Sequence, residues 1–129
     1  RLVGSEMCIR DSRYVVDENQ RLLDACAALE KGDYVTFGQK MNGSHEGLSR
    51  QYEVSCDELD FLADIGHRTD GVLGARMMGG GFGGCTINLV RAEAYDGYLA
   101  EATDRFAHRF GHAPRVIEVN ISQGARRIG

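Results

Sequence analysis

Apolar residues follow two different periods along the chain, and these periods divide it into helices and strands. They recur at helical spacing in Arg13 to Lys31, Asp33 to Arg50, Ser55 to Gly66 and Glu93 to Phe110. Gly32 alone separates the first two stretches, which are therefore predicted to pack as an antiparallel helical hairpin.

Local features refine these predicted helices. Asp33 is expected to cap the second helix, and Ser55 with Glu58 fits a capping box at the start of the third. His45 falls on the apolar stripe of the second helix, where a hydrogen-bonded packing histidine is the favoured interpretation. The residues of the first helix predicted to face the core are Val15, Leu22, Cys26 and Leu29.

Three shorter stretches are predicted strands. Val72 to Met78 precedes a glycine run, while Cys85 to Val90 and Val116 to Ile121 alternate apolar and polar residues. Gly111 is expected to end the last helix, and Ser122 to Gly129 to be irregular. The order of the elements predicts an α+β domain, with helices packed on one face of an antiparallel sheet.

The run between the first two predicted strands reads Gly79, Gly80, Gly81, Phe82, Gly83, Gly84. It matches the dinucleotide fingerprint, but that motif must open a helix, whereas a strand follows here. A P-loop is excluded because Cys85 stands where its lysine would follow. A hairpin turn remains the simplest alternative, yet so many glycines favour close approach of a ligand or another backbone, with the N–H groups forming an anion-binding nest. Phe82 is predicted to anchor this turn.

Composition describes an ordinary soluble domain. The 129 residues suffice for one domain. The net charge of −4 does not favour binding to nucleic acid, and no apolar run has the length of a membrane span. The cysteines form no CxxC pair, which favours reduced thiols in the cytoplasm, and Cys26 and Cys85 are predicted to be buried. His108 and His112 are expected to lie either side of a helix end, so no metal site is predicted.

The segment Arg1 to Ser12 shows no periodicity of either kind and no signal-peptide core. The run Glu6 to Ser12 can be encoded by a transposon end used to prepare sequencing libraries. We therefore interpret residues 1–12 as a non-native scar, with a disordered terminus as the alternative, and take residues 13–129 as the domain.

Three stretches carry a resemblance to a known family. They are Gly74 to Thr86 (GARMMGGGFGGCT), Tyr52 to Leu62 (YEVSCDELDFL), and Gly32-Asp33-Tyr34 followed by Phe37-Gly38 and Ser44-His45. In this order they resemble galactokinases of the GHMP kinase superfamily, and the first is similar to the family's third motif. Phe82 within that motif is typical of galactokinases in particular.

The resemblance implies the fold of a GHMP kinase C-terminal domain and ATP-dependent phosphorylation of galactose to galactose 1-phosphate, with Mg²⁺. It also implies that the residues from Gly79 to Gly84 help to shape the nucleotide and sugar pocket. ATP and Mg²⁺ would be bound mainly by an N-terminal GHMP domain. The implied partners are therefore that domain, galactose and ATP.

The chain also departs from the family pattern. No positions match the first motif, the serine-rich second motif, the catalytic aspartate or its arginine partner, and Met78 stands where many relatives have threonine. The expectation is a C-terminal part of a galactokinase that has no catalytic residue and is inactive alone. A non-catalytic galactose-sensing paralogue and another sugar-1-kinase of the superfamily remain as alternatives.

Overall fold

The computed structural model describes residues 5–79 and 81–128, which form four α-helices and one two-stranded sheet. The elements are α1 (Ser5–Glu30), α2 (Tyr34–Glu46), α3 (Asp57–Arg68), β1 (Val72–Met78), β2 (Cys85–Val90) and α4 (Tyr95–Phe110). A π-helical turn, Gly47–Gln51, follows α2, and a 3-10 turn, Ala92–Ala94, precedes α4. The predicted α+β class is confirmed, because helices pack against an antiparallel sheet.

Helices α1 and α2 form the predicted hairpin around Gly32, whose φ is 70°. Asp33 caps α2 as predicted, since its carboxylate accepts a hydrogen bond from the N–H of Thr36 at 3.1 Å. Near the far end of the hairpin, the hydroxyl of Ser44 donates to Glu18 at 2.6 Å.

Helix α1 departs from its prediction at its start and on its buried face. It begins at Ser5, so the expectation of no helix before Arg13 is wrong for residues 5–12, while residues 1–4 lie outside the described ranges. Whether residues 1–12 are native stays a prediction. Tyr14 and Ala28 form the buried face, whereas the residues predicted to point inward are exposed: Val15, Leu22, Cys26 and Leu29.

Strand β1 is the element on which α2 and α3 pack. A Cβ on Gly38 would lie 2.0 Å from the carbonyl oxygen of Leu73, and one on Gly74 would lie 2.7 Å from the Cα of Gly38. Helix α2 therefore crosses β1 at backbone contact, which only glycine permits. Helix α3 comes equally close at Gly66, where a Cβ would lie 2.6 Å from that of Ala75.

Several local predictions need correction. The capping box is not formed, because Cys56 precedes α3 and the hydroxyl of Ser55 bonds Asp60 instead. The strand predicted at Val116 to Ile121 is wrong, because the sheet in the described part of the chain consists of β1 and β2, and the alternating side chains face solvent without a partner strand. Cys85 is exposed rather than buried.

Within the described residues, no helix combines the length and the apolar character needed to cross a bilayer.

Candidate functional site

The glycine run forms the turn between β1 and β2, whose antiparallel pairing ends with Met78 opposite Cys85. The predicted strand-turn-strand arrangement is therefore confirmed. Every described residue of the turn has a positive φ, from 59° at Phe82 to 124° at Gly83, while Gly80 lies outside the described residues. L-residues rarely adopt such angles, so the backbone path itself accounts for much of the glycine content.

Gly81 is the point where the turn touches the rest of the chain. A Cβ on Gly81 would lie 1.9 Å from the carbonyl oxygen of Val54 and 2.8 Å from the terminal methyl of Met77. The N–H of the next residue, Phe82, donates to the same Val54 carbonyl at 2.7 Å. Two of the three stretches that carry the family resemblance, residues 52–62 and 74–86, therefore meet in space at Val54.

The tip of the turn is open. A Cβ placed on Gly79, Gly83 or Gly84 would meet nothing within 4 Å. The side chain of Phe82 is 75% exposed, so the prediction that this side chain anchors the turn is wrong. The backbone of Gly81 and Phe82 is the anchor, and the tip presents accessible main chain to whatever lies against it.

A hydrogen-bonded cluster centred on Asp60 includes Ser55, which is adjacent to the turn's contact residue Val54. One carboxylate oxygen is 2.9 Å from Nε2 of His45 and accepts from Ser55 at 2.7 Å, and the other accepts from Ser49 at 2.9 Å. Nδ1 of His45 accepts a bond from the N–H of Met77 at 3.0 Å. Because Nδ1 is an acceptor, the neutral ring carries its proton on Nε2 and donates it to Asp60.

Burial favours the neutral form of His45, whose side chain is only 5% exposed. Loss of solvation lowers the pKa of His45 below its ordinary value, although the hydrogen bond to Asp60 acts in the opposite direction. The prediction of a hydrogen-bonded packing histidine is confirmed. Beside it, a cleft of about 220 Å³ opens between α2, the π-helical turn and α3, with Asp60 and His67 in its wall.

The outer edge of β1 is covered by side chains in place of a third strand. Asn42 accepts a bond from the N–H of Ala75 at 2.9 Å, and Nε2 of His67 donates to the carbonyl of Ala75 at 2.8 Å. His45 accepts the N–H of Met77 in the same way. Sequence reasoning missed Asn42, His67 and Asp60. The available signal was the spacing of Asn42 and His45, which lie three apart on a helix and meet alternate residues of a strand.

Among the described residues, no three His, Cys, Asp or Glu side chains are grouped so that they could hold a metal ion. His108 belongs to α4, whereas His112 follows Gly111, whose φ of 78° ends that helix. A second cleft, of about 560 Å³, is lined by Phe61 and residues of α4 and includes no predicted site residue.

Comparison with known families gives a match to the family described as GHMP kinases C terminal, over residues 25–108. The galactokinase of Clostridium beijerinckii is 41% identical over 128 residues, which cover 95% of this chain and 33% of that protein. The galactokinase of Streptococcus thermophilus is 43% identical over 125 residues, which cover 97% of this chain and 32% of that protein. The chain thus spans about a third of the length of the curated relatives it matches.

Solved structures give the same picture. The crystal structure of Lactococcus lactis galactokinase complexed with galactose matches 86% of this chain and 29% of that protein, with a TM-score of 0.81 and 38% identity. The crystal structure of L. major mevalonate kinase in complex with R-mevalonate matches 80% of this chain and 35% of that protein, with a TM-score of 0.57 and 26% identity. The resemblance found in the sequence is therefore confirmed over most of the chain.

Proposed function

Since the chain belongs to the GHMP kinase family, through the C-terminal domain of that family, we propose that it is the C-terminal part of a galactokinase. The reaction is transfer of a phosphoryl group from ATP to the anomeric hydroxyl of galactose, giving galactose 1-phosphate. Identity of about 40% to galactokinases over nearly the whole chain supports this proposal.

The observation that carries the proposal is the open tip of the glycine turn. Gly79, Gly83 and Gly84 have room beside them, and successive backbone N–H groups in such a turn can bind an anion. We assign the residues from Gly79 to Gly84 to one wall of the nucleotide and sugar pocket. ATP supplies the phosphoryl group, and the turn contributes shape and hydrogen-bond donors that orient it.

The remaining chemistry is assigned to the rest of the longer protein. Mg²⁺ prefers carboxylate oxygens and phosphates, and the turn offers no carboxylate. The proposed N-terminal domain would therefore bind most of the ATP and Mg²⁺ and provide the catalytic residues. Expressed alone, this chain is expected not to phosphorylate galactose.

A chimera tests the proposal. Residues 13–129 replace the aligned segment of the Clostridium beijerinckii galactokinase, and formation of galactose 1-phosphate from ATP is measured. We expect kcat/KM within about tenfold of the host enzyme, and no activity from the host without this segment. A folded but inactive chimera would contradict the proposal. Sequencing upstream of Arg13 gives a second test, because a galactokinase should show an intact serine-rich phosphate loop and a catalytic aspartate there.

A further inference from the structure

The glycine turn is connected on its entry side to the carboxylate of Asp60. Asp60 accepts from Nε2 of His45, and Nδ1 of that ring accepts the N–H of Met77. Met77 stands two positions before Gly79. The bond from the N–H of Met77 to His45 is buried, so water cannot readily replace it, whereas the carboxylate of Asp60 also lines the cleft.

A second connection joins the middle of the turn to the same carboxylate. Ser55 donates its hydroxyl to Asp60 at 2.7 Å. The adjacent residue, Val54, accepts the N–H of Phe82 through its carbonyl and lies directly against Gly81. The N–H of Val54 in turn donates to Leu48 at 3.0 Å, so this backbone segment is held on both sides.

We propose that Asp60, His45 and Ser55 are positioning residues that hold the glycine turn in the conformation that meets the phosphates, an inference that rests on the proposed kinase function. Asp60 lies on α3, and neither it nor His45 belongs to the turn. One carboxylate fixes both Met77 at the entry to the turn and Val54 beneath its middle. A turn with so many glycines has large conformational freedom, and these two connections restrict it.

Ser49 provides a matched control, because its hydroxyl donates to the other oxygen of the same carboxylate at 2.9 Å. Ser49 belongs to the π-helical turn, and among the described residues its neighbours Leu48 and Arg50 form no backbone hydrogen bond with the glycine turn. In the chimera, Ser55→Ala should raise KM for ATP about fivefold and leave KM for galactose and kcat within about twofold. Ser49→Ala should leave both KM values within about twofold, and Ser55→Thr, which keeps the hydroxyl, should restore KM for ATP.

Hydrogen exchange gives a readout that does not require activity. Ser55→Ala should increase the exchange of the amides in residues 79–84 more than that in residues 95–110, whereas Ser49→Ala should leave the turn unchanged. Equal exchange of the turn in both variants would overturn the inference. So would equal values of KM for ATP in an active chimera.

The two proposals can fail separately. An inactive parent chimera counts against the kinase assignment, while hydrogen exchange of the turn still tests the positioning residues. If Ser55→Ala changed neither the hydrogen exchange of the turn nor KM for ATP in an active chimera, that result would keep the kinase assignment and exclude the positioning role. In His45→Gln the side-chain amide nitrogen can still donate to Asp60, but the amide oxygen does not lie at the position from which Nδ1 accepts the N–H of Met77. This variant should loosen the turn from its entry side and gives an independent test.

Discussion

Gly81 and Gly83 stand two positions apart in one turn, yet glycine is required at them for different reasons. At Gly81 a side chain would collide with the Val54 carbonyl inside the domain, whereas at Gly83 it would project into open space. Their φ angles, 85° and 124°, disfavour other residues at both positions. The middle of the turn, at Gly81, is thus fixed by the domain, while Gly79, Gly83 and Gly84 on either side of it are free for contacts from outside. A count of glycines in the sequence cannot separate these two roles.

Gly81→Ala should produce the largest effect. The new Cβ would have to displace backbone of residue 54 as well as adopt an unfavourable φ, so the free energy of unfolding should fall by about 3 kcal/mol or more. Gly83→Ala should cost about 1 to 2 kcal/mol, from backbone strain alone. Urea denaturation of the chimera, with hydrogen exchange of β1 and β2 to locate the loss, checks both values.

A helical glycine calibrates this comparison. Gly97 lies in α4, and a Cβ added there would meet nothing within 4 Å, so Gly97→Ala should raise stability by up to about 1 kcal/mol. If Gly81→Ala and Gly83→Ala destabilised the protein equally, the distinction between the packed glycine and the open one would be lost.

Acidification should act on the entry side of the turn, at Met77, and not on its open glycines. The groups that affect His45 are Asp60 and His67 from α3 and Arg76 from β1, and burial is the largest influence, lowering its pKa below that of the unfolded chain. The unfolded state therefore takes up a proton first, at about pH 6.5. Stability from this residue is present above that pH and is lost as the pH falls through it toward the folded pKa. Protonation of Nδ1 also removes the acceptor for Met77.

The measurement is stability against pH from 7.5 to 5.5, in the parent chimera and in His45→Gln. The parent should lose more stability than the variant over this range, and the extra exchange should begin in β1 next to Met77. Identical slopes for the two proteins would show that His45 does not titrate differently in the folded state. This effect should be smaller than that of Gly81→Ala, because one proton is redistributed and no backbone is displaced.

Periodicity predicted most of the fold correctly, because α2, β2 and α4 each carry one clear pattern, while β1 is placed by the glycine run that follows it. It also located the glycine turn between two strands. It failed on α1, where Val15, Leu22 and Leu29 form an apolar stripe that the described structure leaves exposed, while Tyr14 and Ala28 are buried. An apolar pattern indicates that a face is suited to burial, but it does not identify the element that covers it.

A sequence pattern does not show which elements pack together, and this also explains the wrong third strand and the failure to predict the cluster around Asp60. Residues 116–121 alternate as a strand should, but alternation cannot supply a neighbouring strand to pair with. The link from Asp60 through His45 to Met77 joins α3, α2 and β1, which are far apart in the sequence. Only the packing of α2 and α3 on β1 brings these polar groups together, so composition and spacing could not reveal it.

Phe82→Gly should produce the smallest change in stability, because the backbone of Phe82 is held by Val54 while its ring faces solvent. The φ of 59° is unfavourable for phenylalanine by about 1 to 2 kcal/mol, while glycine loses about 0.5 to 1 kcal/mol in chain entropy. Since the ring is 75% exposed, little burial is lost, and urea denaturation should show stability unchanged or slightly raised. A loss above about 1 kcal/mol would mean that the ring packs within this domain. Since the proposed function places this turn against the nucleotide and sugar, KM for ATP or galactose should rise although stability does not fall.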